Sequence, residues 1–170
     1  MKRIYFTFLI TLSLLLSNSL TAQDRTKEAK EYFKIFFNSS YDTYTLFAMH
    51  QPSLKDCKYM FKEDWGLWMF RSYNLSFCEM ANEYASQDKP LDGNIFTDYK
   101  AVRVEKFNTT DVINEKCEIC PGAISSITAY LKPNIECYNI TFLESETDEY
   151  GRRFAFFVFI DNRWVLFPIN

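Results

Sequence analysis

The chain has 170 residues, enough for one domain with a sizeable core. It is 48% hydrophobic and 18% aromatic, with 17 Phe, 11 Tyr and 3 Trp but only four Gly and five Pro, which excludes a linker or a disordered tail. The 19 Lys+Arg are dispersed among 22 Asp+Glu, a net charge of −3, so no electrostatic footprint for nucleic acid exists and no such partner is expected.

Lys2 and Arg3 open the chain, and an apolar run follows from Ile4 to Leu16, broken by Thr7, Thr11 and Ser13. Small and polar residues then lead to Ala22 before Gln23. This is the three-part plan of a secretory signal peptide at 1–22. The competing reading, a membrane anchor, needs ~20 consecutive apolar residues, and this run is shorter. We expect cleavage near Ala22, a secreted or periplasmic product, and no membrane span afterwards. Removing Lys2 and Arg3 leaves 17 basic against 22 acidic residues, net −5. No cysteine lies near the cleavage point, so a lipid anchor is not expected. The ending Leu20-Thr21-Ala22-Gln23 resembles export signals of Bacteroidota proteins.

The remainder, 23–170, reads as a single domain. With Thr26 as a cap, Ala29, Tyr32, Phe33, Phe36 and Phe37 fall at helical spacing on one wide apolar face. Asn38-Ser39-Ser40 ends that helix, and Tyr41, Tyr44, Phe47 and Ala48 repeat the spacing. Pro52 interrupts, because proline disfavours helix at the preceding residue. Ser53 with Asp56 three residues on marks the next helix start, and Leu54, Cys57 and Phe61 share a face. The longest pattern begins near Asp64, with Leu67, Phe70, Asn74, Phe77, Ala81 and Tyr84 on one face, widened by Trp65, Trp68 and Met69. A helix apolar over so much of its circumference is packed on more than one side. Residues 87–94, with Pro90 and Gly93, form the clearest loop.

After that loop the period changes. Val102 and Val104 place a strand at 99–107, followed by a turn at 108–111. The stretch 112–120 is ambiguous. Pro121 opens a short helix carrying Ile124, Ile127 and Leu131, stopped by Lys132-Pro133. Tyr138, Ile140 and Phe142 alternate on a strand at 135–143, and an acidic loop, 144–149, leads to another at 152–160. Asp161-Asn162 is a two-residue hairpin turn, since both residue types tolerate positive φ, and 163–168 returns.

Helices first and strands later argue an α+β fold, with N-terminal helices packed on a curved antiparallel sheet that ends in a C-terminal β-hairpin. The aromatic first helix at 29–37 and the hairpin at 154–168 make the chain resemble the nuclear transport factor 2-like superfamily of cone-shaped domains. The resemblance implies helices folded into the mouth of a bent sheet. It implies no function by itself, because that superfamily holds isomerases, hydrolases and non-catalytic pocket proteins. In the hairpin, Phe157, Phe159, Trp164 and Leu166 share one face, and Phe156, Val158, Ile160, Val165 and Phe167 share the other. A sheet with one wet face alternates apolar with polar residues. Both faces here should therefore be covered, one by helices and the other by a second subunit, as in a homodimer, or by another part of the chain.

Chemistry is sparse. Cys57, Cys78, Cys117, Cys120 and Cys137 survive cleavage, and export favours disulfides. Cys117-Glu118-Ile119-Cys120 is the only close pair. It fits a structural disulfide, a thiol-redox site, or half of a zinc site that lacks its second pair. His50, the single histidine, stands at a helix end, as a general base or as a group favoured by the helix dipole. Asp56 and Asp64 could act as acid/base groups in a pocket or simply cap helices. No Gly-x-Ser-x-Gly elbow or phosphate-binding glycine loop occurs, and 144–149 lacks calcium-loop spacing. No catalytic residue is assigned, and no metal or cofactor is expected. Tyr32, Phe36, Tyr44, Trp65, Trp68 and Trp164 are either ordinary core or the wall of an apolar pocket, since Tyr and Trp carry polar tips that need partners. The leading expectation is a non-enzymatic domain that binds a small molecule or a protein through an aromatic-lined cavity. The alternatives are a cone-pocket isomerase or hydrolase using an Asp or His base, and a redox protein using Cys117 and Cys120.

Overall fold

The computed structural model describes residues 24–38, 40–86, 94–120 and 122–168. The leader expected at 1–22 and most of the loop expected at 87–94 lie outside the described residues, as does the side chain of Tyr84. Asp24, not Thr26, closes the amino end of the first helix: its carboxylate accepts from the Thr26 amide at 3.1 Å and hydroxyl at 2.6 Å. Helix α1 (Thr26–Tyr32) tightens into a 3-10 turn, Phe33–Phe37. Ala29, Phe33 and Phe36 of the expected apolar face are fully buried. Helix α2 (Thr43–Met49) is capped by Asp42, which accepts from the Thr45 amide at 2.6 Å. Helix α3 (Leu54–Met60) starts with the Ser53/Asp56 capping box that the spacing implies.

Helix α4 (Glu63–Ser86) is the longest element. Asp64 lies in its first turn rather than at a cap. Its buried face is shifted from the expected one, of which Met69 is buried and Trp65, Phe70, Asn74, Phe77 and Ala81 are half-buried. Met69 and Tyr73 are buried with Gly66, whereas Leu67 is 40% and Trp68 56% exposed. Gly66 explains the rotation. A Cβ there would stand 2.9 Å from the Lys58 Cα, so the missing side chain lets α4 lie directly on α3 along the 66–69–73 stripe. Close backbone approach overrides the count of apolar residues.

Strands β1 (Ala101–Asn108), β2 (Glu136–Leu143), β3 (Arg152–Ile160) and β4 (Arg163–Leu166) form one antiparallel sheet in the order β1-β2-β3-β4. Asp161 and Asn162 adopt φ of 49° and 61°, as the hairpin turn requires, and Ile160 pairs with Arg163 as expected. The turn expected at 108–111 is instead the start of a helix, α5 (Thr109–Ile113). Asn108 caps it by accepting from the Thr110 amide at 2.8 Å, a local bond as compatible with a helix start as with a turn. The helix expected from Pro121 is two 3-10 turns, Gly122–Ser126 and Thr128–Tyr130. Leu131 leaves the helical path to pair with Phe61, and Lys132 donates to the Met60 carbonyl at 3.0 Å.

Both faces of the sheet are buried by the chain itself. Val102, Tyr138, Ile140, Phe142, Phe157, Trp164 and Leu166 meet Ala29, Phe33, Phe36, Leu46 and Phe96 on one side. Phe107, Cys137, Phe156, Val158, Ile160, Val165 and Phe167 meet Cys57, Met60, Met69, Tyr73, Val112 and Leu131 on the other. Of the two covers that the hairpin pattern allows for its second face, another part of the chain is the one present.

The pairing of β2 with β3 is irregular at one point. Tyr138 pairs with Phe157 and Ile140 with Phe154, so three steps on β3 oppose two on β2. Phe156 takes up the extra residue at φ 78°. This bulge returns Phe154 to the face of Phe157 and bends the first half of β3. Gly151, just before β3, permits the close crossing there, because a Cβ would run into the Phe142 carbonyl.

Trp164 is 1% exposed, with ring centroids 5.0 Å from Tyr138, 5.1 Å from Phe159 and 5.4 Å from Phe33. Trp164→Ala should cost about 3–5 kcal/mol of unfolding free energy, read by urea denaturation. A loss below about 1 kcal/mol would mean that the ring is not the centre of that core.

Candidate functional site

The bulged start of β3 and helix α4 do not close on each other. Between them lies a half-open cleft of about 920 Å³. Phe47, Gln51 and Pro52, at the end of α2 and just beyond it, form one side, and Ser126, Ile127 and Tyr130 form the other. Helix α4 supplies a wall from residues at helical spacing: Trp65, Trp68, Met69, Ser72, Tyr73, Ser76 and Phe77. The facing wall is Arg153, Phe154 and Ala155 with Leu166 and Pro168.

The aromatic rim is held from the backbone. The Lys62 amide donates to the Tyr130 carbonyl at 2.9 Å and the Lys62 ammonium to the Ala129 carbonyl at 2.8 Å. These bonds bring Tyr130 onto Trp65, stacked at 3.7 Å between centroids and 26° between planes. Trp68 stands edge-on to Trp65 at 5.5 Å and stays more than half exposed. Tyr73 is buried deeper, with centroids 6.1 Å from Phe167 and 6.4 Å from Phe61. Its hydroxyl has no hydrogen-bond partner among the described residues, and burial raises its pKa. Gln51 donates through Nε2 to Asn74 Oδ1 at 3.1 Å, which orients its amide. Arg153 is the one charged side chain in the described lining. Its Nη2 donates to the Ile119 carbonyl at 2.6 Å and to Glu105 Oε2 at 3.0 Å.

Of the six aromatic residues named from the sequence, Trp65 and Trp68 line this cleft. Tyr44 packs behind it, 5.0 Å from the cleft residue Phe77. Tyr32, Phe36 and Trp164 do not line it: they lie inside the core that also holds the cleft residues Phe47, Phe154 and Leu166, with Tyr32 and Phe36 against His50 and Trp164 against Tyr32. Helical periodicity marks a residue as facing inward but not which side of the sheet it meets. Tyr130, Arg153 and Phe154 carry no local signal, since a chain bridge and a bulge bring them to the cleft. The stripe Trp65, Trp68, Ser72, Ser76 does carry one, aromatic and small polar residues three or four apart.

His50 is fully buried. Its Nδ1 lies 2.5 Å from the Leu46 carbonyl, which can only accept, so Nδ1 bears the proton and Nε2 accepts from the Tyr32 hydroxyl at 3.2 Å. Asp56 is engaged by the α3 cap and by an ion pair with Arg163, and Asp64 is exposed. Neither His50 nor either aspartate lines the cleft.

Among the candidate disulfide cysteines, Cys117 and Cys120 are bonded, with Cα atoms 5.5 Å apart, whereas Cys57, Cys78 and Cys137 are free. Burial pushes the Cys57 thiol up to about 12 and raises Cys137 as well, which keeps both protonated and unreactive. Among the described residues no group of three or more His, Cys, Asp or Glu could hold a metal ion, and no helix is long and apolar enough to cross a membrane. Comparison with family models, with curated proteins and with solved structures finds no match to the chain.

Burial, more than any neighbouring charge, lowers the His50 pKa below its usual 6.5. The unfolded chain therefore binds a proton that the folded one refuses. The His50 contribution to stability should be complete above about pH 6.5 and decline as pH falls below it, down to the folded pKa. Melting temperatures between pH 7 and 5 should fall for the wild type and fall less for His50→Gln. Equal slopes would show that His50 is not held neutral.

Proposed function

We propose that this chain is a secreted or periplasmic binding domain that holds a small molecule in the aromatic cleft without transforming it. The observation that carries this reading is Trp68, a large apolar ring left 56% exposed at the rim of a cleft of about 920 Å³. A cleft of that volume lies within the ~300–1,000 Å³ usual for small-molecule sites. Its lining has the usual composition too, many aromatic and aliphatic groups with a few oriented polar ones. The Cys117–Cys120 disulfide and the leader read from the sequence support an oxidising compartment. The resemblance to the nuclear transport factor 2-like superfamily belongs to the same proposal. Its support is the order of helices before sheet and the bulge that bends β3.

The test uses phenylnaphthylamine, a neutral fluorophore that brightens in apolar surroundings. Wild-type protein should bind it saturably, one molecule per chain. Trp68→Ala should weaken binding by about tenfold, the equivalent of 1.4 kcal/mol, with an unchanged melting temperature. Absence of saturable binding by the folded wild type would refute the reading.

A further inference from the structure

The electrostatics of the cleft narrow its ligand, on the premise that the cleft is a binding site. We propose that it selects a small amphipathic organic anion, with an aromatic or aliphatic body laid against Trp68 and Phe154 and a carboxylate or sulfonate bonded to Arg153. The chain is acidic overall, at −3, yet no carboxylate stands in the described lining and its single charge is the Arg153 guanidinium. A cationic ligand would meet the guanidinium and no carboxylate of the described lining. A neutral apolar one would leave the guanidinium unused.

The guanidinium is also built to receive an anion. Its bonds to the Ile119 carbonyl and to Glu105 both come from Nη2. Among the described residues Nη1 and Nε have no hydrogen-bond partner, so their donors are available. The anchor is rigid. Ile119 sits in the turn closed by the Cys117–Cys120 disulfide, and its carbonyl also accepts from Asn139 Nδ2 at 2.8 Å, a side chain wholly buried on β2 opposite the bulge. The conformational freedom that an arginine usually loses on binding is thus largely given up beforehand. Glu105 is the tuning element. Its carboxylate, 34% exposed, lies outside the cleft lining and offsets part of the Arg153 charge.

Anilinonaphthalene sulfonate and phenylnaphthylamine share a ring body and differ in one negative charge, so comparing them isolates the anion. Arg153→Gln should weaken anilinonaphthalene sulfonate at least tenfold and phenylnaphthylamine less than twofold. Glu105→Gln leaves the Ile119 anchor of Arg153 in place and should tighten the anion severalfold while leaving the neutral dye unchanged. Added salt should weaken the anion alone. If Arg153→Gln does not fold, the Glu105→Gln and salt results decide. The inference is overturned if both dyes lose affinity equally, or if neither the arginine variant nor the glutamate variant separates them. Failure of the folded wild type to bind phenylnaphthylamine would refute the cleft as a site, whatever the anionic dye does. Phenylnaphthylamine binding without anion preference would refute only the ligand class.

Discussion

The β3–β4 hairpin has no wet face, and the rest of the chain is arranged around that constraint. Along β4 and the residue after it, Trp164 and Leu166 point one way and Val165 and Phe167 the other, and all four are buried. Burying an aromatic or aliphatic side chain is worth roughly 1.5–3 kcal/mol, so leaving either face in water would forfeit a large part of a domain's ~5–15 kcal/mol stability. Two layers must therefore meet the sheet. The segment before Pro52 with Phe96 supplies one, and α3, α4 and the turns after β1 supply the other.

The cleft arises from the same arrangement. Covering two faces with separate sets of helices leaves a seam where the covers meet at the bent end of β3. There α4 lies on α3 at Gly66 and turns Trp65, Trp68, Ser72 and Ser76 toward the seam. The bulge at Phe156 swings Phe154 and Ala155 to the opposite wall. The disulfide-closed turn holds Arg153 at the edge. The cleft is thus a by-product of packing, lined with aromatic rings and one arginine. His50 occupies the other core as a neutral, doubly bonded ring, a structural post for the segment that joins α2 to β4: its carbonyl accepts from the Leu166 amide at 2.8 Å.

What is legible in the sequence is local. The Asp161-Asn162 turn, the Ser53/Asp56 cap and the alternation along β3 and β4 each depend on residues within a few positions, and each stands where the pattern places it. The centre of the buried face of α4 escapes the pattern because it is chosen by the contact of Gly66 with Lys58, two elements meeting in space. A phenylalanine at positive φ writes no signal at all, so the bulge and the cleft wall it builds are invisible in the sequence. The pocket aromatics divide for the same reason. Trp65 and Trp68 are found through spacing on one helix, while Tyr32, Phe36 and Trp164 sit inside the core behind the cleft rather than at its edge, which spacing does not record.

The claim that one chain covers both sheet faces is tested most directly by a charge on each. Phe157 and Val158 are neighbours on β3, 0% and 2% exposed, facing opposite cores. Circular dichroism of Phe157→Asp and Val158→Asp should show loss of the folded state in both. A Val158→Asp protein that stays folded and keeps the wild-type melting temperature would show that this face is not a core of the chain, and would contradict the account.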